Sequence, residues 1–349
     1  MSFSTDLEEK IAPETQTDPR SHDTTGAGDL LACDFCAHRC FIPPGRTGRC
    51  GVRHHLPASG GETGTIVTTV YGQIQAAATD PIEKKPLYHF LPGSSAFSVA
   101  LGGCNFRCRF CQNDQIAFAD RLGPPLVYWE PRELVAAWRR SGSPTIAFTY
   151  TEPGVWQDYL VDCAQIARRE GARIVMVSNG FLTPEAVERL LPVVDGFNID
   201  LKGNDSFYRT LCRAREMPVL ETIRSIAPRR HLEVTTMLLE RYHDSTILHD
   251  LEQILSRAGV QVWHLSRFHP AGRMKDEPAT TEAFLREALE SLRGGIPYLY
   301  AGNSRISEYH RTLCPECGTL CIARGAGVID QTEYGACPEC GHRIYGLFQ

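Results

Sequence analysis

From about residue 97 onward, short apolar runs rich in β-branched and aromatic side chains alternate with segments of helical periodicity. This alternation leaves the chain one broad architecture. The strand candidates are 97–102, 145–150, 173–178, 196–201, 231–238 and 260–268. Helix patterns accompany them near 131–140, 154–170, 184–191, 217–226, 246–258 and 280–292. Several open on start signals: Pro131 with Glu133, Pro184 after Thr183, and Thr280-Thr281 with Glu282. Strands that are apolar throughout and alternate with helices give βαβ units and a parallel sheet. Six such units suit an α/β barrel, closed or incomplete, whose chemistry sits at the C-terminal ends of its strands.

The residues with chemical character fall at those ends. The segment 104–111 follows the first strand, Thr151-Glu152-Pro153 the second and Ser178-Asn179-Gly180 the third. Asp200 and Lys202 close the fourth strand, and Phe268-His269-Pro270 the sixth. The 349 residues hold one such barrel, of roughly 200–250 residues, plus smaller appendages.

Fourteen cysteines form three clusters, with Cys163 and Cys212 standing alone. In a chain of this size, tight cysteine spacings read as metal sites in a reducing cytoplasm, not as a disulfide framework. The central run Gly102-Gly103-Cys104-Asn105-Phe106-Arg107-Cys108-Arg109-Phe110-Cys111 has the spacing C-x3-C-x2-C. Three soft thiolates on one short loop can hold three irons of a cubane cluster and leave the fourth iron open. The two glycines let the backbone turn sharply off the strand. A zinc knuckle that borrows a fourth ligand is the competing reading; Phe110 and the placement after the first barrel strand both speak against it.

This motif and this barrel resemble the radical S-adenosylmethionine (SAM) superfamily, and within it the activating enzymes of glycyl radical enzymes, of the pyruvate formate-lyase activating type. The run from Asp80-Pro81-Ile82-Glu83 through Lys84-Lys85-Pro86-Leu87 to Tyr88-His89-Phe90 narrows the likeness. With Pro92-Gly93-Ser94, Gly103-Cys104-Asn105-Phe106 and Cys111-Gln112-Asn113, it is similar to the radical SAM enzymes of the AmmeMemoRadiSam system. The resemblance covers about residues 33–349 and implies a partial (β/α)6 TIM-like barrel. It further implies a [4Fe-4S] cluster on Cys104, Cys108 and Cys111 that reductively cleaves SAM to a 5′-deoxyadenosyl radical. That radical abstracts hydrogen from a substrate the sequence does not name.

Residue by residue, the resemblance sets Phe110 with its backbone against the adenine and Asn179 near the methionyl moiety. Asp200 falls on a ribose hydroxyl, Lys202 near the carboxylate and His269 near the adenine. Glu152 stands where relatives carry a Gly-Gly-Glu segment that grips the SAM amino group, with Thr149, Tyr150 and Thr151 here in place of the glycines. Taken without the family, Asp200 and Lys202 read as an exposed ion pair, and Asn179-Gly180 as a turn. The implied partners are a flavodoxin- or ferredoxin-type electron donor and a Memo-like or glycyl radical protein. In the latter case the target is a protein glycine.

The flanks carry metals of their own. Cys314-Pro315-Glu316-Cys317-Gly318 and Cys337-Pro338-Glu339-Cys340-Gly341 are paired knuckles that read as a C-terminal zinc ribbon, with Cys321 to spare. Cys33, Cys36, Cys40 and Cys50 supply four further thiolates, and His38 could replace one of them. Zinc and a cubane both accept four cysteines; zinc is the expectation for so compact a module. Cys163 reads as core, on a helix face with Val155, Tyr159 and Ile166, and Cys212 as structural. The charged stretch 80–90 either lines the barrel mouth or anchors the N-terminal module.

The expected organisation is a flexible tail at 1–29, a Cys-rich module with a linker at 30–96, the barrel at 97–304 and the ribbon at 305–349. The tail is too polar to offset its ordering entropy. No run reaches the ~18 apolar residues of a membrane span. The net charge of −5, without any Lys/Arg run longer than a pair, counts against an RNA-modifying protein that reads nucleic acid with its zinc modules.

Overall fold

A computed structural model describes residues 30–58, 64–292, 294–325 and 327–349; the tail expected at 1–29 lies outside them. At the centre is a nine-stranded sheet. Its strands are β1 (Gln73–Pro81), β2 (Ser95–Leu101), β3 (Val127–Tyr128), β4 (Thr145–Phe148), β5 (Arg173–Ser178), β6 (Gly196–Asp200), β7 (His231–Leu238), β8 (Val262–Arg267) and β9 (Tyr298–Gly302). The order is β9-β8-β7-β6-β5-β4-β2-β1-β3, and β2 with β4 through β9 are all parallel. β1 runs antiparallel to β2, and β3 antiparallel to β1. With β9 and β3 at opposite ends, the sheet is an open barrel wall.

The six expected strands are all present, and β9 adds a seventh parallel one. The crossover helices are α1 (Pro131–Ser141), α2 (Gln157–Arg169), α3 (Pro184–Leu190), α4 (Met217–Ile226), α5 (Ser245–Arg257) and α6 (Glu282–Ser291). Their starts follow from their caps. Glu130 and Glu133 form a capping box before α1, and the side chains of Thr183, Asp244 and Thr281 accept the amides of Ala186, Ile247 and Phe284. Each cap contributes about 1 kcal/mol.

Alternation along the strands sorts the two faces. Phe148, Met176, Ile199, Val234 and Trp263 point outward into one core with the apolar sides of the helices, where Cys163 is fully buried as expected. Their neighbours point inward: Ala96, Ala147 and Val175 pack against Ile82, Leu87 and Phe90. The linker expected within 30–96 is therefore, from residue 73 on, part of the sheet and its lining. β1 escaped recognition because its residues Gln-Ile-Gln-Ala-Ala-Ala-Thr-Asp-Pro lack an apolar run, and much of the strand is solvent-exposed.

Glu233 ties this lining to the wall. Its carboxylate accepts the amides of Tyr88 and His89 at 2.9 and 2.8 Å and faces His231 and His264 Nε2 at 2.9 and 2.7 Å. His89 Nε2 lies 2.6 Å from the Tyr300 hydroxyl, which pairs with Thr312 at 2.7 Å. The C-terminal segment is a small antiparallel sheet that rests on Val262, Tyr298 and Tyr300, and Arg324 donates to Tyr88 O at 2.5 Å.

The N-terminal module docks on the opposite side of the wall. The Arg53 guanidinium is buried, donates to Asp158 at 2.9 and 3.0 Å and to Val155 O at 2.6 Å, and lies 3.4 Å over the Phe35 ring. Cys50 and Val52 join the main core. Among the described residues, no helix is long and apolar enough to cross a membrane.

Candidate active site

The chain leaves β2 through Gly102 and Gly103. Gly103 has φ +100°, and a Cβ there would lie 2.7 Å from both methyls of Val52, so a side chain is excluded twice over. The following loop is clamped from outside. The amides of Arg107 and Arg109 donate to Cys212 O and Leu211 O at 3.0 and 2.9 Å. Gly272 presses on it as well: a Cβ there would sit 2.7 Å from Arg109 O and 2.9 Å from Cys111 O. No spacing in the sequence pointed to Gly272, because its role is a close approach between distant segments.

Cys104, Cys108 and Cys111 line a cavity of about 280 Å³ together with Phe110, Glu152, Asn179, Asp200 and Lys202. A second cavity of about 250 Å³ shares Phe110, Asp200 and Lys202 and extends towards Ser266 and Asn303. Eight of the nine residues expected at the site are thus brought together. His269 is not: it is exposed beyond β8 and lines neither cavity. The wall where an adenine contact was expected is instead lined by Met237, Ser266 and Asn303.

Glu152 is fully buried. Its carboxylate accepts Gly154 N, Ser178 Oγ and Asn179 N, each at 2.8 Å. Burial pushes its pKa up to about 7 against those three donors, so a cation brought beside it would be strongly favoured. Asn179 is locked in turn: its Nδ2 donates to Asn105 Oδ1 at 2.7 Å and lies 3.8 Å from Cys104 Sγ, while its Oδ1 accepts Phe181 N. Lys202 Nζ donates to Asp200 Oδ2 at 2.8 Å. Burial disfavours the Lys202 ammonium, yet the neighbouring Asp200 carboxylate and the sulfurs of Cys108 and Cys212 hold its pKa well above the usual lysine value.

The substituted glycine segment keeps glycine-like backbone geometry. Tyr150 has φ +66°, a left-handed conformation that costs an ordinary side chain about 1 kcal/mol or more. It is held there by Asn113 Nδ2 on its carbonyl at 2.7 Å and by its hydroxyl on Asp80 at 2.7 Å. Lys85 completes this group, donating to Asp80 at 2.8 Å and Tyr150 at 3.3 Å. Burial works against the Asp80 charge, but Lys85 and Tyr150 bring its pKa down to about 2. Lys84 and Lys85 line the cavity, whereas Tyr88 and His89 anchor to the wall and the C-terminal segment, not to the N-terminal module as the alternative had it.

The cysteine site fits a cluster with one free corner. Phe106 N donates to Cys104 Sγ at 3.4 Å, and the cavity lining holds neither a fourth cysteine nor a histidine. Cys212 lies outside that lining, with its thiol beside Cys108.

Residues 99–254 match the Radical SAM superfamily. The chain belongs to the radical SAM superfamily. It is therefore an enzyme, and the family implies an iron–sulfur cluster and SAM, which this site can accommodate. The protein MJ0808 of Methanocaldococcus jannaschii is 37% identical over 90% of this chain and 95% of its own length. A Haemophilus influenzae protein named for glycyl-radical enzyme activation is 26% identical over 45% of this chain and 62% of its own. Among solved structures, TYW1 with a lysine-pyruvate adduct superposes with a TM-score of 0.48 at 17% identity, over 66% of this chain and 89% of that one.

Elsewhere in this radical SAM chain, the ligand atoms of Cys314, Cys317, Cys337 and Cys340 all lie within 4.8 Å of one another and could hold a metal. Cys321 stays outside the group, its thiol on Thr319 O at 3.6 Å.

Proposed function

We propose that this radical SAM enzyme cleaves SAM reductively on the loop of Cys104, Cys108 and Cys111 and abstracts a hydrogen atom from an organic substrate. The observation that carries the reading is the convergence of three cysteines, a buried carboxylate and an Asp–Lys pair on one cavity. When bound, a reduced cubane cluster and SAM together supply homolysis of the C5′–S bond, yielding methionine and a 5′-deoxyadenosyl radical. The chain's own residues bind and orient. Glu152 faces the cavity as the buried acceptor for the SAM amino group, Lys202 pairs with its carboxylate and Asp200 with a ribose hydroxyl. The apolar walls from Phe110, Val177 and Met237 keep competing hydrogen donors away.

Lys84, Lys85 and Tyr150, on the side of the mouth formed by the stretch 80–90, are the residues a substrate meets. That stretch also carries the likeness to the AmmeMemoRadiSam enzymes, which favours a small molecule or a Memo-like partner. The second reading, activation of a protein glycine, has the name of the Haemophilus relative in its favour. A flavodoxin- or ferredoxin-type protein is the proposed donor, and zinc the proposed metal of the tail cysteines.

Anaerobically reconstituted protein with dithionite and SAM should release 5′-deoxyadenosine, and Cys108→Ala should abolish both cluster and release. Retention of both in that variant would overturn the reading.

A further inference from the structure

Four more cysteines stand directly behind the active-site loop. Cys33, Cys36 and Cys50 are buried, and Cys40 is half-buried. Backbone amides surround their sulfurs. Arg49 N donates to Cys40 Sγ at 3.5 Å, and the amides of Phe35, His38, Val52 and Arg53 lie close enough to Cys33, Cys36 and Cys50 to favour their thiolates. Amides aimed at sulfur stabilise thiolates and are the outer shell expected of metal ligands. Each sulfur is also within electrostatic reach of at least two of the other three, so the four share one neighbourhood.

The size of that neighbourhood separates the candidate metals. Zinc draws its thiolates to about 2.3 Å, which leaves neighbouring sulfurs roughly 4 Å apart. The tail group has this size: Cys314 and Cys340, like Cys317 and Cys337, lie 3.6 Å apart. No three of the N-terminal sulfurs come within 4.8 Å of one another, and Cys104, Cys108 and Cys111 do not either. A cubane binds its thiolates at separate corners and so holds them further apart. By spacing, the N-terminal set belongs with the active-site set, not with the tail.

Its placement is equally specific. The Asn105 side chain lies beside the Cys36 thiol, and its Oδ1 lies 3.9 Å from Cys104 Sγ. His38 Nε2 lies 2.9 Å from Asn105 O. One side chain thus separates a sulfur of each group, while the half-buried Cys40 gives the N-terminal group its access to solvent.

We propose that Cys33, Cys36, Cys40 and Cys50 hold a second cubane iron–sulfur cluster, in place of the zinc expected of so compact a module, and that it relays electrons past Asn105 to the active-site loop. A flavodoxin- or ferredoxin-type donor loses one electron to this cluster, which is reoxidised when the electron crosses. No bond or proton changes hands. With all four corners held by protein, the second cluster has no place for SAM.

The test uses the full chain with Cys104, Cys108 and Cys111 all changed to alanine, reconstituted anaerobically with iron and sulfide. About four irons and one zinc per chain, with a cluster signal by electron paramagnetic resonance after dithionite, is the expected result. About two zincs with almost no iron overturns the proposal. The unmodified chain gives an independent reading: about eight irons, falling to about four in Cys36→Ser, against about four in both if the proposal is wrong. In Cys36→Ser, 5′-deoxyadenosine formation driven by a flavodoxin-type donor should fall at least about tenfold; an unchanged rate removes the relay role.

Discussion

The two ends of the chain each gather four cysteines, and each set opens on a C-x2-C pair, yet the structure treats them differently. At the tail the sulfurs are close, Cys317 and Cys340 are exposed, and the group rests on Tyr298 and Tyr300 at the edge of the wall. Behind the active-site loop the sulfurs are spread, mostly buried and joined through Asn105 to Cys104. The tail set holds a segment in place, whereas the N-terminal set sits within a side chain's reach of the chemistry. Ligand type and count are the same in both; sulfur spacing and surroundings distinguish them.

The largest expected effect tests the tail half of that contrast. With the proposed zinc on the tail cysteines, Cys337→Ala or chelation should forfeit much of a binding free energy of the order of 10 kcal/mol that only the folded tail can collect. The ribbon should come off the wall and residues 312–349 become protease-sensitive. Cys36→Ser should leave the N-terminal module docked, because Arg53 and Val52 hold it independently of metal. Equal loss of structure in the two variants, by limited proteolysis, would erase the distinction. Next comes Glu233, which joins the tail's footing to the wall. Glu233→Ala strands two amides and two imidazoles in a dry interior and should cost about 3–5 kcal/mol in chemical denaturation.

A smaller effect belongs to the active site itself. Asp200→Ala should weaken SAM binding by about 1–3 kcal/mol in calorimetry and leave iron content unchanged, since the residue is no ligand. Unchanged SAM affinity would return Asp200 to a plain ion pair. Of similar size is a pH effect at the tail's footing. Burial pushes the His89 pKa from 6.5 down to about 3. The unfolded chain therefore binds a proton that the folded chain refuses between those values. Stability is full above about 6.5 and falls as the pH drops, by about 1.4 kcal/mol per unit for this one group. His89→Gln should flatten the melting-temperature profile between pH 6.5 and 5; an unchanged slope would remove His89 as its source.

Much of this was legible because the responsible residues are local in sequence. The parallel strands were marked by apolar runs, several helices by Thr, Pro and Glu at their starts, and the clustered cysteines by their spacing. What escaped was either long-range or carried by an unremarkable sequence. β1 is too exposed and too rich in alanine to show a pattern, and β9 follows Gly294, Gly295 and Pro297, which read as a loop. Tyr150 hid a left-handed backbone behind a bulky side chain, and nothing in the Gly103-Cys104-Asn105-Phe106 motif showed that Asn105 meets Asn179 and His38. His269 failed in the opposite direction: its place at a strand end was right, but the chain beyond β8 carries it to the surface.

The stretch that lines the inner face of the wall has one more consequence. Ile82, Leu87 and Phe90 are fully buried there, and Glu233 pins the adjoining backbone, so the floor beneath the cavity is sealed. A well with a sealed floor imposes an order of arrival. Whatever is to lie deepest must enter first, and each later guest blocks the exit of the one before it. For the proposed reaction this makes SAM the first guest and the substrate the last, an order that product-inhibition kinetics would read.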